Sequence, residues 1–322
     1  MQKFKSRFHI TGTGFTHPPR LLTNEDMTQF FETSDEWITR RTGIKQRYHL
    51  DKYEEFANSQ YATEAAQKAL NMAKIKPEEL DVIVLGTLTP DCVLPSTAVL
   101  VQNNLKAKNA FAFDVSAACS GFVLSLELAA NYIAQKRVKK ALIIGSEMLT
   151  RYCTYKQRNT DVIFADGSGA AVIEATTGEA GLLACTSGSD YEFWQSIYIP
   201  GHSGPRPQTV NLDGKTVFKQ AVKHMGEGTL KVLVETDTPI GKVDHFIYHQ
   251  ANVRIIEAIV EKLNLPKEKV YSNIHKYGNT SAASVPILLD ELNREGKIKK
   301  GNLIVLSALG SGLFHETLLI KW

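Results

Sequence analysis

Phe122–Ala134 is apolar on nearly every face. A helix with no polar face has no side to turn to water, so this one is read as buried on all sides. It is entered through Asp114–Phe122, D-V-S-A-A-C-S-G-F, with apolar, strand-like residues before it at Ala110–Val115 and Cys119 at the turn. A cysteine at the start of a buried helix meets unpaired backbone N–H groups and the positive end of the helix dipole, and both favour thiolate over thiol. Gly121 lets another group come close to the backbone. Two readings stand on this stretch: a cysteine nucleophile at a strand-to-helix turn, or a buried core cysteine.

The pattern occurs again. Lys242–Tyr248 echoes Glu79–Leu85, and Asn279–Leu292 echoes the helix after Cys119. Lys299–Leu306 echoes Lys139–Gly145, each a Lys-Lys pair leading into an apolar strand. The order strand, helix, buried helix, basic turn, strand predicts a duplicated α/β unit, residues 1–175 and 176–322, each half with a mixed sheet and helices. No Pro/Ser-rich linker separates the halves, so they are expected to share one core. A cleft between two such halves is a natural site.

Composition narrows the function classes. With 37 basic against 34 acidic residues the net charge is +3, which gives no global argument for nucleic acid. Cys92, Cys119, Cys153 and Cys185 show no C-x-x-C spacing, so neither a zinc site nor a redox pair is suggested. Met1–Arg7 lacks an apolar signal core, and no apolar run reaches the length of a membrane span. The expected setting is a reducing cytoplasm.

The remaining segments are read in the same way. Ile10–Phe15 looks like a strand end running into a glycine turn, with a phosphate loop as the weaker alternative. Ser34 caps a short helix at Trp37–Arg41, and a cationic stretch, Arg40–Arg47, adjoins Trp37. That combination suits an adenine ring and phosphates, or else a solvated basic face. Asp166-Gly167 reads as a hairpin turn. Tyr191–Asp213 reads as irregular, and Val217–Glu235 as a long amphipathic helix interrupted by Gly226 and Gly228. The loops at matching strand ends carry Cys119, His249 (in His249-Gln250-Ala251-Asn252) and Asn279 (in Gly278-Asn279-Thr280-Ser281), and the three are expected to converge. Taken singly, the histidine also reads as structural and the asparagine as a helix cap.

Over essentially its whole length the chain resembles the β-ketoacyl-(acyl carrier protein) synthase III family of thiolase-fold condensing enzymes. The resemblance rests on S-D-E-W-I-T-R-R-T-G-I at Ser34–Ile44, D-V-S-A-A-C-S-G-F, H-Q-A-N at His249–Asn252 and G-N-T-S-A-A-S-V-P at Gly278–Pro286. It implies a layered αβαβα fold, a homodimer, and acyltransferase activity that starts fatty acid synthesis in a bacterial type II system. It implies that Cys119 is acylated by an acyl-CoA, and that His249 and Asn279 act on malonyl-carrier protein in a decarboxylative Claisen condensation. Acyl-CoA and malonyl-carrier protein are then substrates, and no metal or redox cofactor is required. By the same resemblance the oxyanion is held by the backbone N–H groups of Cys119 and Ser311. Trp37 and Arg158 sandwich the adenine, with Arg41 close to the nucleotide. Gly214 and Asn252 line the pantetheine arm, Phe164 lines the acyl pocket, and Leu94 reaches a pocket across the dimer. Lys219, Arg254 and Lys262 form a basic patch for the acidic carrier protein.

The chain departs from the family's pattern in places. Leu94 stands where acetyl-selective members often have a large aromatic, so a longer or branched acyl chain is expected. The glycine loop reads Gly310-Ser311-Gly312. Phe314-His315-Glu316 follows where many members have an aromatic and a glycine, and His315 and Glu316 read as a local structural pair or as a change to the site floor. Two further functions fit the same residues. One is a relative in secondary metabolism with a different acceptor. The other is a catalytically silent partner subunit, against which the intact Cys119, His249 and Asn279 argue.

Overall fold

Apolar runs bounded by turns become nine adjoining strands in the computed structural model, which describes residues 6–51, 54–201 and 208–322. In chain order they are β1 (Ser6–Thr16), β2 (Val82–Gly86), β3 (Phe111–Val115), β4 (Lys140–Met148), β5 (Asp166–Ala175), β6 (Gly181–Gly188), β7 (His245–Tyr248), β8 (Leu303–Leu309) and β9 (His315–Lys321). They lie side by side as β7-β8-β9-β6-β1-β5-β4-β2-β3.

The pairing repeats outward from the middle. From β1 through β5 and β4 the partners are antiparallel, and from β4 through β2 to β3 they are parallel. From β6 through β9 to β8 they are again antiparallel, and β8 to β7 is parallel. A parallel bridge from Phe246 to Val270 stands in the place of β3. The two sets meet where Ser6 lies opposite Leu182 and Arg7 opposite Gly181.

Side-chain alternation then assigns the layers. On β2, Val82 and Val84 face one side and Ile83 and Leu85 the other, and all four are buried. A strand covered on both faces has to be apolar throughout. Val82 and Val84 meet a central pair of helices, Gly121–Ala134 and Ser284–Arg294. Phe122, Val123 and Leu126 of the first share one core with Val285, Leu288 and Leu289 of the second. Ile83 and Leu85 meet the outer helices Ala57–Ala73 and Thr97–Leu105. On the far side, Gly214–Glu235 and Val253–Leu263 cover β7, β8 and β9. The result is helices, sheet, central helices, sheet, helices, which is the expected thiolase-like α/β layering. It also encloses Phe122–Ala134 as its composition requires.

Three sequence expectations are corrected. Asp166 and Gly167 are not a hairpin turn: they lie within β5, opposite Met148 and Glu147 of β4. Ile10–Phe15 is not a strand end or a phosphate loop but the interior of β1. There a side chain on Gly12 would stand 2.1 Å from the Ala69 carbonyl oxygen, so the glycines let a helix lie directly on the strand. Gly226 and Gly228 do not interrupt their helix, which runs unbroken over Gly214–Glu235. Within the irregular 191–213 segment, Ile197–Tyr198 pairs with Asn211–Leu212, and residues 202–207 lie outside the described residues. Among the described residues no helix is long and apolar enough to cross a membrane.

Candidate active site

Cys119 sits where β3 gives way to the first central helix. The chain turns through Ala118–Ser120, with Ala118 at φ +45°. A side-chain-bearing residue in that region is strained and is held there by its surroundings. The second half builds the same device, with Ser281 at φ +50° in the turn Ser281–Ala283 before Ser284–Arg294. The two turns pack against each other. Ser281 Oγ lies within hydrogen-bond reach of Cys119 Sγ, at 3.3 Å.

Burial pushes the Cys119 thiol up to about 12, the Ser281 hydrogen bond lowers it and the Glu147 charge raises it again. The expectation that the helix start favours thiolate is thereby corrected: desolvation outweighs the helix terminus, and the resting group is a thiol.

His249 follows β7 directly, its N–H donating to the Ser307 carbonyl at 2.8 Å. Nδ1 is 2.7 Å from Ser284 Oγ, which also accepts from Gln250 N–H at 3.4 Å. Nε2 has no partner among the described residues. Burial lowers the imidazole pKa to about 3, so the ring is neutral. Asn279 is clamped to the segment before β5: its N–H donates to Ile163 O at 3.0 Å, and its carbonyl accepts from Ala165 N–H at 2.9 Å. Its Oδ1 accepts from Ser281 N–H at 2.9 Å, which leaves Nδ2 as a donor.

Two cavities meet at the thiol. One, of about 540 Å³, is lined by Cys119, His249, Asn279 and Gly310, and runs out past Phe164, Gly214 and Asn252 to Trp37 and Arg41. The other, of about 1040 Å³, is lined by Cys119, Phe164, Val93, Leu149, Tyr152, Ser281 and Ser311. Cys119 and Phe164 belong to both. Gly310 abuts Cys119 closely, since a side chain there would stand 3.0 Å from its backbone nitrogen.

The outer residues fall as follows. The Arg41 and Arg158 guanidinium carbons lie 4.8 and 4.5 Å from the Trp37 ring centre. Arg158 also donates to Glu32 O at 2.8 Å. Arg47, read as part of the same basic face, is instead fully buried and donates to Val162 O. Asn252 donates to Arg41 O at 2.8 Å and caps the Val253–Leu263 helix. Lys219, Arg254 and Lys262 are exposed on two adjacent helices, with Arg254 over the Phe218 ring. Leu94 is 85% exposed and lines neither cavity of its own chain.

His315 and Glu316 are not a local pair. Successive strand residues point to opposite faces. His315 stacks on His224, and Glu316 turns to the central layer, where the Glu127 charge acts on it. Neither lines either of the two cavities that meet at Cys119. The residue that sequence reasoning missed is Glu147, on β4 and fully buried, with Ser281 Oγ 3.2 Å from its Oε1. The available signal was a carboxylate two residues beyond the apolar run Ala141–Gly145, on a strand continuing to Met148. Among the described residues no group of three or more His, Cys, Asp or Glu side chains is placed to hold a metal ion.

Residues 113–191 match the family described as 3-oxoacyl-(acyl-carrier-protein) synthase III, and residues 233–322 match the C-terminal part of the same enzymes. The chain belongs to the 3-oxoacyl-(acyl-carrier-protein) synthase III family. It is therefore a transferase that carries out a Claisen condensation in fatty acid synthesis. The beta-ketoacyl-(acyl-carrier-protein) synthase III of Caldanaerobacter subterraneus subsp. tengcongensis is 45% identical over 323 residues, covering 97% of each chain. The crystal structure of the Aquifex aeolicus synthase III superposes with a TM-score of 0.93 at 43% identity, over 98% of this chain and 100% of that one. That of Pseudomonas aeruginosa superposes at 0.92 and 35% identity, over 98% of each.

Proposed function

We propose that this synthase III works through Cys119, His249 and Asn279. The observation that carries the proposal is their convergence on the smaller cavity, which Cys119 joins to the larger one. An acyl-CoA enters past Trp37, Arg41 and Arg158, its pantetheine arm running by Gly214 and Asn252. Cys119 attacks the thioester, and the acyl group passes into the larger cavity beside Phe164. The oxyanion is met by the backbone N–H groups of Cys119 and Ser311. CoA leaves and malonyl-carrier protein enters, docking on Lys219, Arg254 and Lys262, where opposite charge mainly speeds encounter.

His249 and Asn279 then donate to the malonyl thioester carbonyl. Ser284 Oγ, accepting from Gln250 N–H, is free to donate to Nδ1 and so keep the proton on Nε2. Neutral donors suit this step, because decarboxylation places negative charge on that carbonyl oxygen. The resulting enolate attacks the acyl-cysteine, the β-ketoacyl product leaves on the carrier protein, and Cys119 is released. No step needs a metal or redox cofactor.

The functional unit in this reading is a cytoplasmic homodimer in which Leu94 completes the partner's acyl pocket and admits a longer or branched chain. The halves divide near residues 175 and 176, the first carrying the nucleophile and the second the His/Asn pair. The test is intact-protein mass spectrometry with a panel of acyl-CoAs, with Cys119→Ser as control and a malonyl-carrier protein chase. One acyl group on Cys119, discharged by the chase as β-ketoacyl product with CO₂, is the expected result. Acyl groups that load but survive the chase would point to another acceptor.

A further inference from the structure

Glu147 lies in the interior, and none of the steps above uses it. Its carboxylate accepts from Thr89 Oγ1 at 2.7 Å, Thr87 Oγ1 at 3.2 Å and Leu88 N–H at 3.1 Å. Ser281 Oγ completes the set at 3.2 Å from Oε1, and the same hydroxyl is 3.3 Å from Cys119 Sγ. Each of these groups is a hydroxyl or an amide, and β4 faces Gly167 of β5 at this position. A buried carboxylate held by neutral donors alone is costly to keep. Ser281 is itself strained, at φ +50°, in the position that sets its hydroxyl between sulfur and carboxylate.

We propose that Ser281 and Glu147 form the proton path of the nucleophile, with Ser281 Oγ taking the thiol proton and passing its own to Glu147 Oε1. The inference rests on the reading of Cys119 as the acylated residue. During acylation the S–H bond breaks as sulfur bonds to the acyl carbon. A new O–H forms on Ser281 while its former proton moves to Glu147. The C–S bond to CoA then breaks, and the CoA thiolate takes a proton from solvent. After condensation the released Cys119 thiolate recovers its proton from Ser281, and Ser281 from Glu147, so the chain of groups returns to its starting state. Ser281 touches the reacting sulfur, whereas Glu147 acts through Ser281 and sets the direction of transfer.

The division of labour follows from the surroundings of the two candidate bases. Burial leaves His249 a weak base, near 3, while burial raises Glu147 to about 7 against the pull of its hydrogen bonds. A proton acceptor works best with a pKa near the working pH. His249 is thus kept for the malonyl carbonyl. Cys119 is the titratable group facing Glu147. The 87–89 segment, the Ser281–Ala283 turn and Asn58 of the outer helix present hydroxyls and amides.

The test is the rate of Cys119 alkylation by iodoacetamide, followed by intact mass and peptide mapping from about pH 6 to about pH 9. Glu147→Gln and Ser281→Ala are each expected to slow it about 100-fold near neutral pH. The double variant should be no slower than either single one, because both cut the same path. Glu147→Asp should restore part of the rate and keep an inflection near neutrality that Glu147→Gln lacks. A bystander carboxylate gives the opposite sign: it only repels the thiolate, so removing it would speed alkylation. A Glu147→Gln rate at or above wild type therefore overturns the proposal. If the glutamine variant unfolds, the pH profile of Glu147→Asp carries the test: an inflection displaced from the wild-type position is expected, and an unchanged profile overturns the proposal. Wild-type Cys119 that neither alkylates nor accepts an acyl group would overturn the nucleophile reading instead; normal Cys119 chemistry with unchanged variant rates overturns the proton path alone.

Discussion

A carboxyl group in an apolar layer ionises at a cost, and Glu316 is such a group, fully buried with neither oxygen bonded among the described residues. Burial, followed by the Glu127 charge, raises it from 4.5 to about 9, so it stays protonated in the folded protein at neutral pH. The unfolded chain releases that proton near 4.5. Stability therefore falls as pH rises from there toward about 9, and levels beyond it. Glu316→Met should raise the thermal midpoint by several degrees at about pH 8 and by much less at about pH 5, a difference of a few kcal/mol. Equal gains at both pH values would contradict this account. His249→Ala should still load an acyl group on Cys119 but lose malonyl-dependent discharge by about 100-fold or more, read by the same mass-spectrometric chase. Cys119, His249 and Asn279, on which the proposed mechanism rests, could be singled out in the sequence because they stand in loops at matching strand ends. Glu147 was not, because a lone glutamate in sequence looks like any solvated one.

At the scale of elements, close contact decides more than turn propensity. The central helix rests on β2 through two glycines: a side chain on Gly86 would stand 2.3 Å from the Gly121 carbonyl carbon. Gly86→Ala must lift the start of the helix that follows Cys119. A loss of about 3 kcal/mol or more in urea unfolding is expected, together with slower acyl loading. Wild-type values in both measurements would show that the sheet can yield. The same physics explains the misread elements. Gly12 and Gly167 signal a turn in sequence, yet each lies inside a long strand, Gly12 under the Ala57–Ala73 helix and Gly167 against the turn that carries Thr280. Glycine marks both kinds of site, and only the packed neighbour tells them apart.

At the scale of the molecule, β3 ends the sheet with Phe111 44% exposed, and Val93 and Leu94 are 72% and 85% exposed. An apolar sheet edge of this kind is a pairing surface. The proposed homodimer predicts a mass by light scattering of twice the chain's 35.7 kDa. Phe111→Glu should shift it toward the single-chain value. If Leu94 completes the partner's pocket, Leu94→Phe should reduce loading of long or branched acyl groups relative to acetyl. An unchanged acyl preference would exclude Leu94 from the pocket.

Sequence alone determined the duplicated order of elements, the two enclosed helices and the residues at the matching loop ends. These are set by local periodicity and by residue type within a few positions. Only the tertiary structure decided which polar groups are buried and what they touch. Ser281 meets Cys119 across 162 residues of chain and Glu147 across 134. No periodicity reports a contact over that span, because it exists only after the two halves close on their shared central layer.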